Sequence, residues 1–272
     1  MKPQLEQIKS WARTVGQMAI EMRKEDLDIE QKGLADLVTR ADKAIEAYLL
    51  DQVATNFPKH TVLGEETGMH QKDGAHRWYI DPIDGTLNYA HGLPEYSISI
   101  AYAFEGELQL GVIYCPEMDE LFSAEKGKGA WLNGKPIQVS KIDKLIDSLL
   151  ITGFRHSLID TPRSNMDYFI HMARHSQTIR RLGSAALDLA YVAAGRAEGF
   201  WEIALNPWDV AAGILLVREA GGKVEGLFGE ANLLEGSVDI LAANPVIFPQ
   251  MRALLIEVRN KKDNNDAYEW QQ

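Results

Sequence analysis

Apolar positions at the start of the chain step by three and four. Leu5, Ile8, Ala12, Val15, Ala19 and Met22 form one stripe, which predicts an amphipathic helix. After a polar break at residues 30–33, Ala41, Ala44, Ile45, Tyr48 and Leu49 repeat that spacing and predict a second helix over residues 40–54, stopped by Asn56-Phe57-Pro58. Short strands are expected at 61–63, ended by Gly64-Glu65-Glu66-Thr67-Gly68, and at 78–80. From Ser97 to Ser140 the period changes to two, with turns at Glu105-Gly106, Gly127, Gly129 and Asn133-Gly134, so this stretch reads as an antiparallel meander.

The pattern changes again near residues 141–147. Beyond it, strands at 149–152, 177–180, 197–202 and 238–242 alternate with helices at 165–174, 184–194, 207–220 and a last one ending near Arg259, while 261–272 reads as a frayed polar tail. The fold class is therefore α+β, helices layered on sheets, with one half over residues 1–143 and a second over 144–272.

Composition narrows the partners. The chain has 272 residues with 28 basic and 39 acidic side chains, a net charge of −11, which argues against nucleic acid as the main partner. The longest uncharged run, Ile240 to Met251, holds two prolines and is too short to span a bilayer. Cys115 is the only cysteine, so no disulfide framework or thiolate cluster exists. The opening stripe carries Glu6, Lys9 and Arg13 and does not read as a secretory signal, which makes a reducing cytoplasm the expected compartment.

Three acidic islands stand where an apolar strand meets a turn or a helix start: Glu65-Glu66, the Asp81/Asp84 pair, and Asp209. Asp81 ends a strand, Pro82 fixes the turn, Asp84 is placed to cap the next segment, and Gly85 permits close backbone approach. In Asn206-Pro207-Trp208-Asp209, a cap residue and a first-turn proline place the carboxylate at a helix mouth. Each island alone is ordinary turn or cap chemistry. Together they would repel one another unless cations intervened, and hard divalent ions with oxygen ligands suit such a set. A carboxylate shared by two ions would hold them about 3.5–4 Å apart, the spacing of two-metal phosphoester hydrolysis. Two residues separate the acids of Asp81-Pro82-Ile83-Asp84, unlike the Asp-x-Asp-Gly-Thr of the haloacid-dehalogenase phosphatases. Water rather than aspartate is thus the expected nucleophile.

The segments Gly64-Glu65-Glu66, Trp78-Tyr79-Ile80-Asp81-Pro82-Ile83-Asp84-Gly85-Thr86-Leu87-Asn88-Tyr89, Trp208-Asp209-Val210-Ala211-Ala212-Gly213 and Glu219-Ala220-Gly221-Gly222 resemble the inositol monophosphatase family in order and spacing. Asp36-Leu37-Val38-Thr39-x-x-Asp42 and Gly183-Ser184-Ala185-Ala186 match as well. The resemblance implies a layered αβαβα sugar-phosphatase fold, a homodimer, lithium sensitivity, and two or three Mg²⁺ ions per subunit. By correspondence, Glu65, Asp81 and the Ile83 carbonyl would hold a first metal; Asp81, Asp84 and Asp209 a second; and Glu65 a third through waters. Gly85 and Thr86 would meet the phosphate. Either Thr86 with Asp42, or Glu65, would orient the attacking water, and the sequence leaves that choice open. Asp84, Glu202 and the Gly183, Ser184 and Ala185 segment stand at substrate-contacting positions.

The expected activity is Mg²⁺-dependent hydrolysis of inositol monophosphate or similar polyol phosphates. Arg180 and Arg181 keep open a nucleotide phosphatase (NADP or 3′-phosphoadenosine phosphate) or a fructose-1,6-bisphosphatase on the same metals, because a second phosphate wants a cation. A binding subunit associated with the RNA machinery is a third reading. His91 lies close after the motif and could touch the site, but a structural or surface role is the expected reading. Gly127-Lys128-Gly129 reads as a hairpin rather than a phosphate loop, and Trp131 and Trp201 as packing residues.

Overall fold

Thr39 starts the second helix through a reciprocal cap. Its hydroxyl accepts from the Ala41 and Asp42 N–H groups, while the Asp42 carboxylate accepts from the Thr39 N–H at 2.8 Å. The computed structural model describes residues 2–25, 27–33, 36–229 and 232–263. In chain order the first half runs α1 (Leu5–Met22), β1 (Glu30–Gly33), β2 (Asp36–Val38), α2 (Arg40–Asn56), β3 (His60–Gly64), β4 (Gly68–His70), β5 (Asp73–Asp84), α3 (Thr86–Ala90), β6 (Ser97–Phe104), β7 (Glu107–Cys115), β8 (Glu120–Glu125), β9 (Gly129–Leu132) and β10 (Lys135–Pro136). The second half runs β11 (Leu149–Thr152), α4 (Met166–Ala173), β12 (Thr178–Arg180), α5 (Ala185–Ala193), β13 (Gly199–Leu205), α6 (Pro207–Glu219), β14 (Lys223–Gly226), β15 (Val238–Ala243) and α7 (Ile247–Asp263).

Among the described residues, β3 to β10 form one eight-stranded sheet in the order β10-β9-β8-β7-β6-β5-β3-β4. All its pairs are antiparallel except β3 with β5. The second half supplies a five-stranded sheet in the order β12-β11-β13-β15-β14, parallel around β11 and antiparallel around β15.

Strand alternation sorts the layers. Trp78 and Ile80 of β5 point to the face covered by α1 and α2, whereas Tyr79 points to the opposite core, built around α5 and α6. Those two helices are almost wholly buried because both their faces meet sheet: the large sheet on one side, the small one on the other. Helices α4 and α7 cover the far face of the small sheet. The result is an αβαβα sandwich.

Several boundaries differ from the sequence expectation. The polar break at 30–33 is a strand paired with β2, because hairpin hydrogen bonds need no apolar alternation. The strand expected at 78–80 is twelve residues long and runs through the acidic motif to Asp84. Strands β4 and β14 and the short α3 were not predicted, being too brief for a period to show. Helix α7 extends through Asp263, so only 264–272 of the expected tail lie outside the described residues.

Candidate active site

A β-bulge creates the acidic pair. Asp81 pairs with Ser99 and Asp84 with Ser97, so three steps along β5 match two along β6. In a regular strand, residues three apart face opposite sides. The extra residue turns Asp84 back to the side of Asp81. Pro82, which has no N–H to donate, sits inside the bulge.

The pair opens into a cleft of about 600 Å³ at the meeting of the two sheets. Glu65, in the turn just after β3, and Asp209, in the first turn of α6, line the same cleft, as do Ile83, Gly85, Thr86 and Glu202. Asp209 is held by the Asn206 N–H, which donates to its Oδ2 at 2.7 Å. Gly85 takes φ +93°, and a side chain there would crowd the Gly183 carbonyl at 3.0 Å. The Asn88 amide meanwhile donates to the carbonyls of Glu95 (2.6 Å) and Leu182 (2.7 Å), tying the motif to the start of the Gly183 segment.

Asp84 does not cap the helix immediately after it. Its Oδ2 accepts from the Ser184 hydroxyl at 2.6 Å and from the Ala186 N–H at 2.7 Å, so it caps α5, about a hundred residues on. Gly183, Ser184 and Ala185 therefore stand behind Asp84 rather than on the cleft wall, with Ser184 and Ala185 buried. Asp42, also off the wall, is fully buried; the Thr86 hydroxyl lies 3.2 Å from its Oδ1 and 3.0 Å from the Ile83 carbonyl oxygen.

The electrostatics are those of an acid cluster. Burial, followed by Glu65, Asp84, Asp209 and Asp42, pushes Asp81 well above the carboxylate range. Asp209 is driven the same way by burial and then by Asp84, with the Asn206 N–H opposing. Asp84 rises only to about 6, because the Ser184 hydroxyl and the α5 N–H groups offset its burial. Glu202 is pushed up to about 8 by burial and by Asp84, with Arg181 opposing.

The donor set fits a hard divalent cation. Asp81 is 2% exposed, and its Oδ1 has no hydrogen-bond partner. An orphaned carboxylate oxygen in a cluster of four further acids is costly unless positive charge faces it. Among the described residues no three acids already close on one point at ligand geometry, so the fit rests on donor chemistry rather than on a finished cage.

The sequence reading missed the opposite wall. Phe154, Arg155, His156, Ser157 and Ile159, after β11, and Met166, which opens α4, line the same cleft as the acids. They carry no motif, and only the fold brings them near. Arg181 lines the cleft whereas Arg180 is turned away, donating to Thr178 Oγ1 at 2.5 Å. His91 is exposed and off the cleft lining. Gly127 and Gly129 lie at the β8–β9 hairpin, their N–H groups donating to Glu219 at 2.8 and 2.9 Å. Trp201 is fully buried and Trp131 half-buried.

Residues 1–263 match the model of the inositol monophosphatase family. An inositol-1-monophosphatase of Mesorhizobium japonicum is 41% identical over 240 residues, covering 86% of this chain and 87% of that protein. The Nus factor SuhB of Escherichia coli K12 is 42% identical over 237 residues, with the same coverage of 86% and 87%. A solved IMPase/NADP phosphatase complexed with Mg²⁺ and phosphate superposes with a TM-score of 0.80 at 27% identity, covering 92% of this chain and 93% of that one. Among the described residues no helix is long and apolar enough to cross a membrane.

Proposed function

The chain belongs to the inositol monophosphatase family, and on that premise we propose that this metal-dependent phosphomonoesterase acts on inositol monophosphate or a similar small polyol phosphate. The observation that carries the reading is the convergence of Glu65, Asp81, Asp84 and Asp209 on one cleft, with a buried Asp81 oxygen left unpartnered.

Glu65, Asp81, Asp84, Asp209 and the Ile83 carbonyl would hold two or three Mg²⁺ ions. Bound there, Mg²⁺ supplies charge neutralisation for the phosphate and lowers the pKa of a water. The chain's own residues do the rest. Thr86 Oγ1, within reach of Asp42 Oδ1, orients the attacking water and shares its proton with that carboxylate. Gly85 and Thr86, on the cleft lining, would offer backbone N–H groups to the phosphate. Glu202, buried and on the cleft lining, offers its carboxyl group to the substrate hydroxyls.

One observation favours a second substrate class on the same metals. The wall of Phe154, Ile159 and Met166, with Arg155 and Arg181 beside it, offers an apolar surface and cations that a bare polyol does not use. A nucleotide such as NADP or 3′-phosphoadenosine phosphate would use both, and fructose 1,6-bisphosphate the cations. A panel of these esters with inositol 1-phosphate, compared by kcat/KM at saturating Mg²⁺, decides. Inositol 1-phosphate is expected to lead. A nucleotide ahead by tenfold or more would reverse the order.

The family also makes a homodimer in the cytoplasm the expected setting, which size-exclusion with light scattering and fractionation test. The relative named as a Nus factor adds a non-exclusive binding role, and a macromolecular partner retained by Asp84→Asn in a pull-down would support it.

A further inference from the structure

Helix α2 carries a second buried carboxylate besides Asp42. Glu46 comes four residues after Asp42, so both project from one helix face, and both are fully buried. Glu46 belongs to none of the motifs that carry the family resemblance. Its Oε2 accepts from the Glu66 N–H at 2.9 Å, and its Oε1 accepts from the Thr67 N–H at 2.8 Å and the Thr67 hydroxyl at 2.5 Å.

All three donors lie on the turn between β3 and β4, immediately after Glu65. The carboxyl also packs on the residue just before it, since a methyl group at Gly64 would stand 2.8 Å from Glu46 Cδ and Oε2. Glu46 thus grips the chain on both sides of Glu65. Three hydrogen bonds donated to one buried carboxylate leave that turn little freedom, whereas a turn held only by its own strand ends would swing.

We propose that Glu46 is a positioning residue: it fixes the Glu65 turn against α2 and thereby sets the affinity of the cleft for its divalent cation. The inference rests on the metal-dependent reading. Groups that orient a ligating carboxylate commonly change metal affinity by about 10–100-fold when removed.

The test is calorimetric titration of Mg²⁺ into the metal-stripped full chain, at a temperature where circular dichroism shows each variant folded. The proteins are wild type, Glu46→Ala, Glu46→Gln and, as a packing control on the same helix, Leu49→Ala. Leu49 is fully buried and makes no contact with the turn through hydrogen bonds. Glu46→Ala is expected to weaken Mg²⁺ binding by about tenfold or more, Glu46→Gln by less because its amide oxygen still accepts, and Leu49→Ala not at all. Should Glu46→Ala fail to fold, Glu46→Gln against Leu49→Ala carries the comparison. Wild-type affinity in the Glu46 variants, or equal weakening in Leu49→Ala, overturns the inference. A wild-type chain that takes up no Mg²⁺ overturns the metal-dependent reading first, and this inference with it.

Discussion

The carboxyl group of Glu202 lies against the α-carbon of Gly153: a methyl group at residue 153 would stand 2.2 Å from Oε1 and 2.3 Å from Oε2. No side-chain atom fits that gap, so the absence of one at residue 153 decides where the Glu202 carboxyl points. The next residues reinforce it. Register between β13 and β15 shifts after Glu202, and Ala204 sits at φ +63° with its N–H on Asp239 and its carbonyl accepting from Arg155 at 2.7 Å. Gly153→Ala should therefore displace Glu202 and raise KM for inositol 1-phosphate by about tenfold, in line with one lost hydroxyl contact of roughly 1–3 kcal/mol. Hydrolysis of an ester without ring hydroxyls should change little. Equal effects on both substrates would contradict the assignment.

Asn165 should matter to stability. Its Oδ1 accepts from the buried Trp201 indole N–H at 2.8 Å, and its amide donates to Thr152 Oγ1 at 2.8 Å and to the Gly153 carbonyl at 2.7 Å. Asn165→Ala strands that N–H and that carbonyl in the core, at a cost of about 1–3 kcal/mol each. Urea denaturation should show a lower midpoint, and an unchanged midpoint would refute the contact's importance.

Without metal, the buried acids should make stability fall as pH rises. Glu202 holds its proton to about 8 against an ordinary 4.5, and Asp84 to about 6 against 3.8. Between those values the folded chain keeps protons that the unfolded chain has released, so each step up in pH favours unfolding. Melting temperatures in chelator should decline from pH 5 to pH 8. Glu202→Gln should flatten the upper part of that decline, and Mg²⁺ should reduce it. A melting temperature that climbs over this window would contradict the burial argument.

Thr86→Val removes the hydroxyl that meets Asp42 while keeping the shape of the side chain. Turnover should drop by about 10²–10⁴-fold, the usual range for losing a proton-transfer group, with Mg²⁺ affinity preserved. Single-turnover kinetics beside a metal titration measure both. Unchanged turnover would shift the water-orienting role to Glu65.

Sequence spacing exposed what lies in one stretch of chain, and contacts between distant stretches stayed hidden. Asp81, Asp84 and Thr86 share one segment, the meander showed itself by its period of two, and α6 by its Asn206-Pro207 start. That Asp84 would cap α5 could not be read, because its partners Ser184 and Ala186 join it only when the two sheets close on α6. Glu46 was hidden for a related reason: on the helix pattern it looks like a solvent-facing acid, yet the β3–β4 turn covers it. The wall from Phe154 to Met166 has no period at all and gains its place only from the fold.

Phosphate release from inositol 1-phosphate, with and without Mg²⁺, in wild type and Asp84→Asn tests the central claim most directly. Asparagine retains an acceptor for Ser184 and Ala186, so the fold should persist while a charged donor is lost. The account predicts turnover in wild type that requires Mg²⁺ and falls by at least about a hundredfold in Asp84→Asn, as removing a metal-held charge would produce. Equal rates in the two proteins, or a rate indifferent to Mg²⁺, would contradict it.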